Sequence, residues 1–291
     1  MLHKRDARHR PEGSRPVGAT LLLALLGAVG CSGDAAPPTL VLATTTSVAN
    51  SGLLDAFSQA YRDQTRTVIR AHLVGSGLAL RMLEKGDVDV AISHAPETEA
   101  QFLTAHANWT YRKIMYNDFV LVGPPGDPAK VDGEKRASDG MRRIAESQVK
   151  FLSRGDGSGT HEREEQLWRL AGKRPHQSRL VAAGAGMGTT LRIASETGSY
   201  TLTDRATLAQ HAGTLSLIVV FEGGAELLNT YAVIVDASGS HANEAERFSS
   251  WLADGGGRHV ISEYRIRGVP VFTVWPPAAP RGGPDDKPRN E

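Results

Sequence analysis

The stretch "MYNDFVLVGPP" at residues 115–125 is an apolar run rich in β-branched residues that stops at a Gly-Pro turn, the pattern of a buried strand. Its shape returns at 227–236 in "LLNTYAVIVD", again with an apolar lead, an asparagine, an aromatic and a β-branched run. Between the two lies an α/β series of its own: "VKFLSRGDGSGTHEREEQLWRLAG", the glycine-rich "AAGAGMGTTLRIASE", "YTLTD" and "LSLIVVF". Outside them lies another. "LVLA" at 40–43 leads into a helix over 52–64, with Leu53, Leu54, Phe57, Ala60 and Tyr61 on one face. "VIRAHLV" at 68–74 follows, then a helix opened by Gly75, Ser76 and Gly77, carrying Leu78, Met82 and Leu83 and ended by Gly86. "VDVAIS" at 88–93 is the next strand, and helical stretches around 244–253 and 257–264 come after the second crossing run.

This βαβαβ rhythm predicts parallel sheets covered by helices. The economical architecture is α/β with two lobes, each a mainly parallel sheet flanked by helices, joined by the two similar strands as a hinge. Lobe 1 is discontinuous, 39–117 and 234–275, and lobe 2 spans 118–233. A cleft between hinged lobes is a usual place for a small ligand.

The flanks of this body have a different character. Lys4, Arg5, Arg8, Arg10 and Arg15 precede an apolar run at 17–30, "VGATLLLALLGAVG". A spanning helix needs roughly 20 apolar residues; this shorter run with a basic lead has the layout of a secretory signal over 1–30. It runs into Cys31, the sole cysteine, which resembles the lipidated cysteine of a bacterial lipobox, with Ala28 where leucine is usual. A lone thiol has no intramolecular disulfide partner, and a body otherwise free of cysteine suits an oxidising exterior. Residues 31–38 read as a Gly/Pro linker and 276–291 as a disordered tail. The expected location is therefore the periplasm or the outer face of the cytoplasmic membrane, with a lipid anchor. The net charge of +1 and the absence of basic blocks argue against a nucleic-acid partner.

Four loops share one design, a strand, then Gly, Ser or Thr, then a helix start: 44–47, 75–77, 153–160 and 184–189. Helix starts offer unpaired N–H groups and partial positive charge, glycines admit a ligand to the backbone, and hydroxyls donate without adding charge. A single Ser or Thr at such a place is an ordinary cap. "TTTS" at 44–47 carries more hydroxyls than capping needs: Thr46 or Ser47 can cap while Thr45 and its neighbours donate to a ligand. Arg154, just before Gly155, brings a planar fork suited to an oxyanion. Hydrogen bonds to a charged group contribute about 1.5–3 kcal/mol each, so roughly six approach the −12 kcal/mol of a nanomolar site before ordering costs.

At these loops the chain resembles the tungstate-binding proteins of bacterial ABC importers, the TupA family, with the type II periplasmic binding-protein fold. The matching segments are "LATTTSVANSGLLDAF", "GDVDVAISHAPE", "MYNDFVLVGPPGDPA", "FLSRGDGSGTHERE", "AAGAGMGTTLRIASE" and "YTLTDRATL". The resemblance implies a receptor for a tetrahedral oxyanion, tungstate or molybdate, that hands it to a membrane permease served by an ATPase subunit. It implies a monomer that needs no cofactor, coordinates no metal cation and is no enzyme. The ligand-binding residues it points to are Thr45, Thr46, Ser47, Ser76, Arg154, Ser158, Thr160, Gly186 and Met187, supported by Thr44, Gly77, Asp156 and Gly159. Gly157 and Ala185 depart from the family, where aspartate and glutamine are common.

"RGDGSGT" also resembles the loop of phosphate receptors of the same fold, so phosphate, molybdate and sulfate stay open as ligands. Phosphate keeps a proton near neutral pH and wants a carboxylate acceptor, which Asp156 could supply. For an unprotonated oxyanion, Asp156 is expected to point away, orienting Arg154 or capping the helix. A serine hydrolase using Ser158 is the alternative of another class, but no nucleophile elbow surrounds that serine. His161 reads as the exposed first turn of a helix, and His94 as core or rim packing.

Overall fold

The computed structural model describes residues 36–276. The expected signal at 1–30, Cys31, the first part of the linker and the tail past 276 lie outside the described residues.

Strand β1 (Thr39–Thr45) runs into a short helix α1 (Thr46–Asn50) and then α2 (Leu53–Thr65). Next come β2 (Val68–Val74), α3 (Ser76–Lys85), β3 (Val90–Ser93) and α4 (Pro96–Ala105). The first crossing strand is β4 (Trp109–Gly123), followed by α5 (Ala137–Glu146), β5 (Phe151–Ser153), α6 (Gly159–Ala171) and β6 (Leu180–Ala182). Then α7 (Met187–Thr197), β7 (Thr201–Asp204), α8 (Arg205–Gln210) and β8 (Ile218–Glu222) lead to the second crossing strand, β9 (Leu228–Asp236). Helices α9 (Ala242–Asp254) and α10 (Gly256–Glu263), a small hairpin of β10 (Arg265–Ile266) and β11 (Val269–Pro270), and β12 (Thr273–Val274) complete the body.

In the first lobe β1 pairs in parallel with β2, from Thr39–Val68 to Thr45–Val74, and with β3. The crossing strands enter antiparallel: β9 against β3, β4 against β9, and β12 against β4. Alternation along β1 sends Leu40 and Leu42 to one face, packed with Phe57, Tyr61, Phe248 and Leu252 of α2 and α9. It sends Val41 and Ala43 to the other, under Leu80 and Leu83 of α3. Helices therefore cover both faces.

Strand β4 is long enough to serve both lobes. Residues Trp109 to Asp118 pair with β9, and Phe119 to Val122 pair with β7 in the second lobe. There the same alternation places Phe119 and Leu121 in a cluster with Met141, Ile144, Leu167 and Trp168, and Val120 and Val122 beside Met187 and Leu191. Strands β5 and β6 pair in parallel, and β5 joins the rest through Tyr200, which exchanges backbone bonds of 2.8 and 2.9 Å with Leu152 and Lys150.

One local expectation needs correcting. Helix α3 buries the stripe Ser76, Ala79, Leu80 and Leu83, spaced i, i+3, i+4, i+7. Leu78 falls off that stripe and is 45% exposed, while Met82 packs at its edge. Gly86 ends the helix as expected, with left-handed φ of 73°.

The lobes touch along one side of the cleft. Glu162 of α6 accepts the backbone N–H groups of Glu97 (2.9 Å) and Thr98 (3.2 Å), and the Thr98 hydroxyl, at the start of α4. Arg169 pairs with Glu97 at 2.7 Å. Helix α8 of the middle segment seats Ala206 in the first lobe's core, and Gln210 donates to the Ser51 carbonyl at 3.0 Å.

Candidate functional site

Five loops leave the carboxyl ends of β1, β2, β3, β5 and β6 and converge on one cavity of about 220 Å3. Loops after parallel strands meet helix starts, so this edge collects backbone N–H groups. Thr45, Thr46 and Ser47 line it from the first lobe with Leu73, Val74, Gly75 and His94. Arg154, Asp156, Ser158, Thr160, Gly184, Ala185 and Gly186 line it from the second. Gly75, Ser158 and Gly186 are the N-cap residues of α3, α6 and α7, which brings three helix N-termini to one small space. Its volume is below the roughly 300–1,000 Å3 of drug-sized pockets. A larger groove of about 430 Å3 elsewhere is mainly apolar, lined by Leu208, Leu215, Leu217 and Val271 with Arg205, His211 and Arg267, and no Ser or Thr is on its lining.

Among the described residues Arg154 is the only cation on the lining, and it is 4% exposed. Its backbone is clamped: the N–H donates to the Glu164 carboxylate at 3.2 Å, and the carbonyl accepts from Gly184 at 3.0 Å. Its guanidinium pairs with Asp156 through Nη2, while Nε is buried without a protein partner. Asp156 Oδ1 also accepts the Ser158 N–H at 3.1 Å. Burial works to raise the Asp156 carboxyl, but the Ser158 bonds and the Arg154 charge outweigh it and hold it below the usual carboxylate range. Both Asp156 oxygens therefore already accept a donor, and the residue orients the arginine and steadies the start of α6.

The hydroxyls divide their work differently from the capping expectation. Thr45 is the N-cap of α1, yet no side chain caps that helix. Instead Thr45 Oγ1 and Ser47 Oγ are 3.0 Å apart, and Ser47 Oγ is 3.4 Å from the Tyr231 hydroxyl. Ser158 does cap, accepting the His161 N–H at 3.3 Å. His161 Nδ1 accepts from the Gly157 N–H at 3.0 Å, so it is turned to backbone and does not bond the Ser158 hydroxyl.

Thr45, Thr46, Ser47, Arg154, Ser158, Thr160, Gly186 and Asp156 are brought together on the lining. Five other expected residues lie off it. Ser76 is fully buried and its hydroxyl accepts the His94 N–H at 3.1 Å, bracing the β3 loop. Met187 points its side chain into the core beside Leu191 and Val122. Thr44 is buried, and its hydroxyl has no partner among the described residues. Gly77 faces Arg81 and Thr98, and Gly159 packs on His94.

His94 is the residue that sequence reasoning set aside. It is 3% exposed, lies on the lining, stacks on Tyr231 at 4.9 Å and holds Asn229 Oδ1 at 3.0 Å through Nδ1. Burial pushes its imidazole down to about 4, with Asn229 opposing, so the ring is neutral near pH 7. Asn229 is the register partner of Asn117, the asparagine that the other crossing strand carries.

Two hinged lobes around a cavity of hydroxyls, helix starts and one arginine define a solute-binding protein, and residues 32–255 match the PBP superfamily domain. The tungstate-binding protein TupA of Peptoclostridium acidaminophilum is 34% identical over 275 residues, 88% of this chain and 96% of that protein. The crystal structure of the tungstate ABC transporter from Geobacter sulfurreducens is 35% identical with a TM-score of 0.70, covering 78% of this chain and 98% of that one. The tungstate-binding protein TupA from Desulfovibrio alaskensis G20 is 37% identical, also with a TM-score of 0.70, over 81% of this chain and 98% of that one. The chain belongs to the PBP superfamily and, within it, to the family of these TupA proteins.

Proposed function

We propose that this protein is the extracytoplasmic substrate-binding component of an ABC importer and that it takes tungstate into the cavity between its lobes. The observation that carries this is the donor set: Thr45, Thr46, Ser47, Ser158 and Thr160, with three helix N-termini and the buried Arg154, in about 220 Å3. Such a set neutralises an anion with dipoles and one fixed charge. Asp156 is engaged by Arg154 and by the Ser158 N–H, which favours an anion without a proton over phosphate. Tungstate and molybdate share charge and shape, and the names of the relatives favour tungstate. Competitive calorimetry with tungstate, molybdate, sulfate and phosphate tests the reading; tight phosphate binding without tungstate binding overturns it.

In this reading the closed protein delivers the anion to a permease with its ATPase subunit, works as a monomer and catalyses nothing. Residues 1–30 export it and Cys31 carries the lipid that holds it at the membrane, which labelled fatty-acid incorporation lost in C31A checks. Lobe 1 comprises 39–117 and 234–275 and lobe 2 comprises 118–233, a division supported by the crossing of β4 and β9 between them. A hydrolase reading has less support, because Ser158 is spent on capping and no imidazole is bonded to its hydroxyl.

A further inference from the structure

The hydroxyl wall of the cavity is the outer end of a buried hydrogen-bond chain that begins at the crossing of β4 and β9. There the Asn229 side-chain amide donates to Asn117 Oδ1 at 2.7 Å and to the Tyr231 hydroxyl at 3.0 Å. Its oxygen faces His94 Nδ1 at 3.0 Å. Tyr231 continues to Ser47 at 3.4 Å and Ser47 to Thr45 at 3.0 Å. All these residues are at most 5% exposed.

The chain has a direction. An amide NH2 only donates, so the Tyr231 oxygen is an acceptor toward Asn229 and its own proton must go elsewhere. Its other hydrogen-bonded neighbour is Ser47. Ser47, accepting from Tyr231, turns its proton to Thr45 or to the cavity, and Thr45, accepting from Ser47, turns its proton to the cavity. His94 Nδ1, carrying a proton, satisfies the Asn229 oxygen and holds that amide the right way round. Buried networks of this kind fix one orientation of each member, because a reversed donor leaves a neighbour unsatisfied at substantial cost.

We propose that Asn229 and Tyr231 are positioning residues that orient the Tyr231–Ser47–Thr45 chain so that its last proton is aimed at the cavity, biasing the first lobe's wall against protonated oxyanions. An anion with no proton meets acceptor to donor throughout. Hydrogen phosphate or hydrogen arsenate gains less from this wall, because an O–H turned toward it meets a fixed proton where a freely rotating hydroxyl would turn a lone pair. The inference rests on the oxyanion-binding reading above and assigns its selectivity to residues that do not line the cavity.

The test is calorimetry of the wild-type protein, Y231F, S47A and Y231F/S47A, each titrated with tungstate and with phosphate. Wild-type protein that binds no tungstate defeats the functional reading, not the relay. Given wild-type binding, Y231F is expected to weaken tungstate by about tenfold, the weight of one hydrogen bond to a charged ligand. Its tungstate-to-phosphate ratio narrows, because Ser47 is freed to accept. The double variant should be no weaker than S47A, since Tyr231 acts through Ser47. Wild-type affinity and ratio in Y231F, or additive losses in the double variant, overturn the proposal. N229A, which removes the donor to Tyr231, must narrow the ratio in the same way; an unchanged ratio there also overturns it.

Discussion

Gly159 lies directly against His94 across the cleft: a Cβ at 159 would stand 2.5 Å from the His94 carbonyl oxygen and 2.8 Å from its ring Cε1. The first residue of α6 and the loop after β3 thus meet with no room for a methyl group. G159A is expected to prop the lobes apart and weaken tungstate by tenfold or more. Overpacking of this kind costs typically 1–3 kcal/mol in the packed state. Because opening relieves the clash, the melting temperature without ligand should fall much less than the stabilisation by tungstate does. Unchanged calorimetric affinity would show that this contact is not part of the closed state.

Arg154 is expected to dominate the affinity. R154A removes the buried charge and its fork, and two lost bonds at about 1.5–3 kcal/mol each predict at least a hundredfold loss. R154K keeps the charge without the fork and should recover only part of the affinity. Full affinity in R154A, measured by titration, would move the site elsewhere.

Glu162 acts at a distance from the cavity. Its carboxylate caps α4 of the other lobe, so E162A is expected to release one edge of the closed cleft. Stopped-flow tungstate release should accelerate about tenfold, in keeping with the loss of ~1 kcal/mol or slightly more for a helix cap. An unaltered dissociation rate would mean that the latch forms no part of the closing energy.

His94 gives a pH dependence with a defined sign. Its folded value of about 4 lies below the 6.5 of the free side chain, so the unfolded chain takes up the proton first. The stability that neutral His94 contributes is complete above about pH 6.5 and is lost as pH falls through about 4. The full displacement is on the order of 3 kcal/mol. Melting temperatures between pH 7 and pH 4 should therefore fall less steeply in H94Q than in the wild type; equal slopes would place the titration elsewhere.

Local chemistry was legible in the chain and long-range chemistry was not. The glycine and hydroxyl loops announced themselves because a strand end, a turn and a helix start sit within a few residues of each other. That reading located Thr45, Arg154, Ser158 and Gly186 on the cavity. It failed where a side chain chooses between neighbours distant in sequence. Ser76 turned to the backbone of His94, Met187 went to the core beside Val122, and Ser47 bonded to Thr45 instead of capping. The two crossing strands were visible as a repeated pattern, and the long N-terminal half of β4, from Trp109, was hidden by polar Arg112 and Lys113. The contact of Asn229 with His94 spans 135 positions, and nothing within either segment foretells it.

The seat of α8 on the first lobe is made by alanines: Ala206 within its core and Ala209 packed on the edge. Alanine has no rotamers to lose and no long stem to interlock. A methyl returned to water costs roughly 0.8 kcal/mol. Apolar surfaces of this kind can slide or part at little cost, so the seat of α8 behaves as a bearing located by one hydrogen bond, from Gln210 to the Ser51 carbonyl. The contacts at Gly159 and Glu162 fit in one position only, and there the presence of a ligand can be converted into a fixed arrangement of the two lobes.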